Sequence, residues 1–411
     1  MTISDVKKVY TDVFALPDDR VLDLVLAVVV NMYIKTDPLW LLLVGAPSSG
    51  KSEIIQALYK IPKVYEISDL TENSFLSGMS SSTGEASFLK EMGVYGTIAM
   101  KDFTSVLSYR AEKRDNILAQ MRHIYDGHIS KKTGKQGMLE WKGKCNLIGG
   151  VTEAIFLNED ESASMGRRNI LYMLPEQDPF DMMKASRDSR ATDAIRTRRE
   201  AIQEAFAEYV NEIKETIPNE PLLAVASEYS HALEIVSNFA TYARTPITRD
   251  RYSREITFVH KREMPVRFSE QLHTFAETLQ FMHGGVLEED LMETLYKIAF
   301  DSIPSIRRQT LLLLTEYDKI TTKGAALRLG LSTLTSRRTL EDLNALKLVT
   351  RIPNGPHNKD WWVLDAKFCD IITQYAGVEH MGGDLDSTES DVDEGEAMEQ
   401  SERTDATFDK F

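Results

Sequence analysis

Cysteine is nearly absent from this 411-residue chain; Cys145 and Cys369 are the only two. Two thiols build neither a disulfide framework nor a cysteine-based zinc site, so both are expected to be reduced, in a cytoplasmic protein. Long apolar runs are missing too. The longest near the amino end, residues 21–30, contains Asp23 and is too short to cross a bilayer, and no membrane association is expected. No basic stretch followed by an apolar core opens the sequence, so no secretory signal is expected. A basic excess is also lacking, since the formal net charge is −15. That deficit does not exclude nucleic acid, because it is concentrated at one end. From Glu379 onward there are 12 acidic and 2 basic residues, which leaves −5 for the other 378. An acidic tail thus masks a nearly balanced body, in which local basic patches matter more than the total.

What is present has a clear order. Residues 1–36 carry apolar groups at helical spacing and predict two short helices around Leu16, Pro17, Asp18 and Asp19. A continuous apolar run at 40–44, with similar runs at 63–67, 96–100, 145–148 and 169–174, predicts strands of the kind buried on both faces. Helical patterns lie between them, as at 53–59 and 114–125, and the alternation predicts a parallel α/β sheet. After Pro175 the pattern turns helical, with segments expected at 196–213, 224–241, 268–282 and 288–302. The expected organisation is an amino-terminal helical segment (1–36), an α/β core (37–178), a helical lid (179–303), a smaller domain (304–378) and a disordered acidic tail (379–411).

Gly45, Ala46, Pro47, Ser48, Ser49, Gly50, Lys51 and Ser52 spell G-x-x-x-x-G-K-[ST] between a predicted buried strand and an amphipathic helix. Such a loop curls backbone N–H groups around phosphates at a helix start. Its lysine reaches the outer phosphates and its serine ligates Mg²⁺, so ATP and Mg²⁺ are the expected ligands. These sites usually need an acidic residue at the end of a neighbouring strand to hold the metal. Asp102 is the candidate; its alternative role is to cap the segment that follows. Phe103 stands where a water-polarising glutamate is common, so the catalytic carboxylate is sought at Glu72, Glu85 or Glu153.

Two basic regions point to nucleic acid. Between residues 127 and 144 stand Lys131, Lys132, Lys135, Lys142 and Lys144 against Glu140, with Gly134 and Gly137 suited to a hairpin tip. Lysines on a hairpin suit sequence-independent phosphate contact; the alternative is a solvated loop. Residues 304–365 hold 10 basic and 6 acidic residues and read as a winged helix. Helices are expected at 306–315, 322–330 and 332–346, with Ser332 as a cap, then strands at 348–352 and 361–364 around a wing. The third helix would present Thr333, Ser336, Arg337, Arg338 and Lys347 to DNA; many winged helices bind protein instead.

From residue 40 to about 301 this order resembles the AAA+ core of the minichromosome-maintenance helicases and their bacterial and phage relatives. Residues 84–93 look like the segment before that clade's metal-binding strand. Residues 118–152 are similar to its helix, basic hairpin and next core strand. The resemblance implies that the hairpin enters a central pore and touches DNA, single- or double-stranded. It implies that Thr152 is the sensor beside the γ-phosphate, where the family usually has Asn. It further implies an arginine finger at Arg167 or Arg168, in Gly166, Arg167, Arg168, Asn169 and Ile170, and a second sensor at Arg267. It implies an ATPase acting as a DNA motor, helicase- or translocase-like, in a homo-oligomeric ring, a hexamer, within a bacterial or phage-infected cell. Where the family has a large amino-terminal DNA-binding tier, this chain has about 36 residues. The alternative is a nucleotide-switched loader, initiator or regulatory DNA-binding module with slow turnover. The acidic tail ends at Phe411 and resembles tails by which bacterial single-stranded-DNA-binding proteins recruit a protein partner.

Overall fold

The computed structural model describes residues 1–76, 87–133, 137–158, 167–176, 180, 192–353 and 359–386. Lys135, Glu85, Gly166 and all of the tail from residue 387 lie outside the described residues. By contact the chain divides into two compact units. One comprises 1–237 with 265–302. The other comprises 238–264 with 303–411, so a piece of the stretch read above as a lid groups with the smaller domain.

The first unit opens with α1 (Ile3–Thr11) and α2 (Arg20–Asn31). Thr2 and Asp5 form a reciprocal cap on α1, each side chain taking a backbone N–H of the other. Every residue of α2 from Val21 to Asn31 is buried. Asp23 survives there because Lys7 Nζ at 2.8 Å and His283 Nε2 at 3.0 Å hold its carboxylate. The remaining elements alternate as the apolar runs predict: β1 (Trp40–Val44), α3 (Lys51–Gln56), β2 (Val64–Glu66), α4 (Phe88–Met92), β3 (Tyr95–Met100), α5 (Thr104–Leu107), α6 (Ala111–Tyr125), β4 (His128–Thr133), β5 (Gly137–Lys142), β6 (Lys144–Val151) and β7 (Ile170–Met173).

Five strands form one sheet in the order β2-β3-β6-β1-β7, and every neighbouring pair is parallel. The central β1 is buried along its whole length. Its Trp-Leu-Leu-Leu-Val run therefore has no polar face to offer, as a strand covered on both sides requires. Buried Asn146 ties α2 to this sheet: its amide donates to Val28 O at 2.6 Å and its oxygen accepts from Leu39 N at 3.1 Å. Helices Thr192–Lys214, Ser227–Ala243, Val266–Met282 and Glu289–Asp301 follow. Among the described residues, no helix is long and apolar enough to cross a membrane.

Lys144 corrects one expectation. It belongs to the charge run of the hairpin, yet its Nζ donates inward to Asn31 O (2.7 Å), Ile34 O (2.9 Å) and Thr36 Oγ1 (3.2 Å). It anchors the end of α2 and is not available for phosphate. Burial pulls its ammonium down to about 7. Between that value and the ordinary lysine range near 10.5, the unfolded chain binds a proton that the folded chain releases. Stability contributed at this site therefore rises with pH across that window, by at most about 1.4 kcal/mol per pH unit for one proton. Urea unfolding at pH 7 and pH 9 is expected to show the wild type gaining stability and Lys144→Met losing most of that slope. Parallel slopes would count against the assignment.

In the second unit a short antiparallel hairpin, β8 (Ile247–Arg249) and β9 (Ile256–Val259), precedes helix Ser305–Glu316, β10 (Lys319–Thr321), helices Thr322–Arg328 and Thr333–Ala345, β11 (Val349–Ile352), β12 (Trp361–Leu364), helix Ala366–Ala376 and β13 (Asp384–Leu385). The last four strands form a sheet in the order β11-β12-β10-β13. Thr321 and Ser332 cap their helices by accepting from Gly324 N at 3.0 Å and Thr335 N at 3.1 Å. Gly330, with φ of 62°, makes the tight turn between the two helices.

Candidate functional site

Strand register decides which residues meet. Val44 pairs with Val151 and with Met173, and Met100 pairs with Gly149, so β1, β6, β7 and β3 end together. The segments leaving them, the loop 45–52, Thr152 and Asp102, consequently emerge at one edge of the sheet. That carboxyl edge is where parallel α/β sheets bind ligands. Two backbone bonds stitch it, Gly45 N to Val151 O at 3.1 Å and Phe103 N to Gly150 O at 2.7 Å, and the Thr104 hydroxyl accepts from Thr152 N at 3.2 Å.

Within the loop, Ser48 (φ 65°) and Gly50 (φ 84°) adopt left-handed backbone, which curls the chain before α3. A Cβ on Gly45 would meet Ser49 Oγ at 2.7 Å, so a larger residue there would turn that hydroxyl away from Lys51. Lys51 Nζ turns back into the loop and donates to Gly45 O (2.8 Å), Ala46 O (2.6 Å) and Ser49 Oγ (3.1 Å). Three oxygens thus satisfy the three N–H groups of the ammonium. Burial lowers its proton affinity, and the nearby Asp102 carboxylate opposes that shift. Ser52 is exposed at the start of α3. Glu53, beside it, is held in a fork by Arg199 (2.9 and 2.5 Å), which braces α3 against helix Thr192–Lys214. Sequence reasoning missed this brace because no local pattern links positions so far apart.

Asp102 also fills the capping role considered for it: Oδ1 accepts from Thr104 N at 2.9 Å. Phe103 is buried in the core, so the position after Asp102 serves packing. Of the other carboxylates, Glu153 follows Thr152 at the same edge, whereas Glu72 is fastened to α6 through Asn116 at 3.1 Å. Gly150 presses this edge closest. A Cβ there would lie 2.5 Å from Lys101 O, a backbone atom that cannot move alone. Gly150→Ala is expected to cost about 1–3 kcal/mol by overpacking and to displace Asp102; an unchanged midpoint of urea denaturation would contradict this.

The arginines gather elsewhere. Trp40, the first residue of β1, sets its ring edge-on to Tyr125 at 5.2 Å. Arg168 lies over the same Tyr125 ring at 5.6 Å and forks Asp126 with contacts of 2.9 and 3.0 Å. Gln271 links the group, donating to Tyr125 Oη at 3.0 Å and Arg168 O at 2.6 Å. Burial raises the Tyr125 hydroxyl to about 12, while the charges of Arg267 and Arg168 work against that rise. Arg168 therefore stands at the amino edge of the sheet, and Arg267, one turn before Gln271 on helix Val266–Met282, belongs to the same side. That edge lies about 13 Å from the loop, at a strand rise near 3.3 Å per residue. Arg167 donates to Ser302 O at 3.0 Å.

The basic hairpin is β4 and β5, antiparallel from His128↔Lys142 to Thr133↔Gly137. Ile129, Leu139 and Trp141 turn one face into the core. Lys132 is exposed, but Lys131 is engaged, donating to Asn73 Oδ1 at 2.8 Å and Glu72 O at 3.2 Å. In the second unit, Arg337 is exposed and pairs with Glu341 at 3.2 Å, while Arg338 is half-buried. Ser336 does not face outward as expected; it is buried against the helix neighbours that form this unit's core. No group of three or more metal-ligating side chains occurs among the described residues. A scan of protein-family models and a search of curated proteins each return no match to this chain.

Proposed function

We propose that the protein is an ATPase of the AAA+ type that acts on DNA as an oligomeric motor. The observation that carries this reading is the joint placement of the loop 45–52, Asp102 and Thr152 at the carboxyl edge of the central strand. Gly45 through Ser52 would hold the ATP phosphates, with Lys51 exchanging its three loop oxygens for phosphate oxygens. Ser52 and Asp102 would hold Mg²⁺, which supplies charge neutralisation; this metal commonly takes one or two protein ligands beside the phosphates. Thr152 would sense the outer phosphate, and Glu153 is the carboxylate best placed beside it to orient water.

The separation of Arg168 and Arg267 from the loop supports a site completed by a neighbouring subunit. A head-to-tail ring joins unlike surfaces, and in the proposed assembly the loop edge of one copy would meet the amino edge of the next. An arginine given in this way stabilises charge on the transferring phosphoryl group. Exposed Lys132 on the β4–β5 hairpin would touch DNA phosphates. In the second unit, the order helix, strand, helix, helix, strand, strand with its small sheet supports the winged-helix reading, with Arg337 toward nucleic acid.

The test is ATP turnover by the whole chain, with and without single- and double-stranded DNA, at two salt concentrations. Turnover that rises with DNA, more at low salt, is the expected result; turnover indifferent to DNA would overturn the motor. One observation favours the slow nucleotide-switched loader: buried Phe103 occupies the position where a water-polarising glutamate is common. That reading expects DNA binding with little strand displacement.

A further inference from the structure

The β8–β9 hairpin is not explained by the reading above. Residues 249–262 carry Arg249, Arg251, Arg254, Lys261 and Arg262 against Asp250 and Glu255, a net of +3 in a protein of net −15. The two acids are not equivalent. Asp250 is spent on the turn, accepting from Tyr252 N at 2.8 Å and Ser253 N at 2.7 Å. Glu255 is exposed.

Arg249 fixes where the hairpin sits within its unit. It donates to Asp342 Oδ1 at 2.7 Å, Glu341 Oε2 at 3.2 Å and Arg338 O at 2.9 Å, clasping one flank of helix Thr333–Ala345. The buried side of that helix is Ser336, Thr339, Leu340 and Leu343. At 100° per residue, Thr333 and Arg337 form the stripe next to the clasped flank, which runs through Arg338 and Glu341. Leu334 continues the clasped stripe toward the start of the helix, where it is 55% exposed.

Alternation along the strands turns the opposite face outward. Thr248 pairs with Phe258, and His260 Nε2 bonds Thr248 Oγ1 at 2.9 Å while its ring meets Phe258 edge-on at 4.8 Å. Phe258 is 57% exposed on this face, and Tyr252 at the turn is 89% exposed. Apart from the contact of Phe258 with His260, these large rings are exposed, as are Arg251, Arg254 and Lys261 of the same hairpin and its flank. A protein partner would be expected to meet them with an apolar face; here exposed cations stand within three residues of each aromatic along the chain. Phosphates matched to those cations, with bases stacked on the rings, is the complement that uses both features.

We propose that the β8–β9 hairpin binds single-stranded nucleic acid, with Phe258 and Tyr252 stacking on bases and Arg251, Arg254 and Lys261 contacting phosphates. The stripe at Arg337, which pairs with Glu341, would meet duplex alongside it. This inference rests on the nucleic-acid part of the proposed function but names a site that part does not contain.

The experiment measures binding of the whole chain to fluorescent dT20, rU20 and a blunt 20-base-pair duplex, at 50 and 200 mM salt. Tyr252→Ala/Phe258→Ala is expected to weaken dT20 binding roughly tenfold or more, while duplex affinity stays within about twofold. Arg251→Ala/Arg254→Ala/Lys261→Ala is expected to reduce the dependence of log affinity on log salt by about two units for dT20. Phe258→Tyr, which keeps the ring, should retain wild-type binding, and DNA-free ATP turnover should be unchanged in every variant. The rU20 arm shows which sugar is preferred. Equal losses on dT20 and duplex, or no loss on dT20, would overturn the hairpin site while leaving the motor reading standing. A wild-type chain that binds none of the three probes would overturn both.

Discussion

Lys51→Ala should lower ATP turnover by about 100-fold or more, in line with removal of a preorganised charge at a reacting phosphate. The expected loss is catalytic and not structural. Among the described residues Lys51 donates to Gly45 O, Ala46 O and Ser49 Oγ, all within its own loop. Alanine leaves those acceptors at a polar edge, where water can replace the ammonium. Folding is therefore expected to survive, with the circular-dichroism spectrum unchanged and the melting temperature within a few degrees of wild type. The comparison separates two readings of the loop. If Lys51→Ala kept more than a tenth of the wild-type rate, the loop would be a structural turn and the nucleotide site would lie elsewhere. If the variant instead unfolded, the loop carbonyls would depend on Lys51 more than their position suggests.

A second large effect is expected from subunit mixing. Arg168 and Arg267 stand at the edge of the sheet opposite the loop, so the proposed site is completed only between copies. Arg167→Ala/Arg168→Ala should cost about 10³-fold or more in turnover, the range of a supplied arginine finger. Mixing these inactive subunits with inactive Lys51→Ala subunits should then recover activity. Random assembly pairs an intact loop with intact arginines at roughly a quarter of the interfaces, and recovery near that level relative to wild type is the expected result. No recovery, in mixtures verified to exchange subunits, would place the arginines in a purely structural role. The fork from Arg168 to Asp126 offers such a role, so Asp126→Asn is the control. It should leave turnover largely intact if the guanidinium works across the interface.

The α/β character of the first unit was legible because its inner strands are short apolar runs of the kind a sheet covered on both faces accommodates; β2, at the sheet edge, is not buried as its run was expected to be. The capping at Ser332 and the turn at Gly330 were legible for the same local reason, since a cap is decided within three residues. Charge counting was less informative. Lys144 and Lys131 belong to the same basic run as Lys132, yet one anchors the end of α2 and the other holds Asn73. A count of charges cannot separate a lysine that meets carbonyl oxygens inside the fold from one that meets water. Ser336 misled in the same way, being a polar residue on a helix whose buried stripe happens to include it.

By itself, then, the sequence determined the period of each element, the left-handed backbone that Gly50 permits and the residue types of the loop 45–52. These depend on sterics and hydrogen bonding over a few positions. Tertiary structure alone decided which strand ends share an edge. Register between β1, β3 and β6 brings Asp102 and Thr152 to the loop across about 50 and 100 residues of chain, while Trp40 and Tyr125 draw Arg168 and Arg267 to the far edge. Such distances are set by backbone pairing and core packing summed over the whole sheet, and no local pattern encodes them.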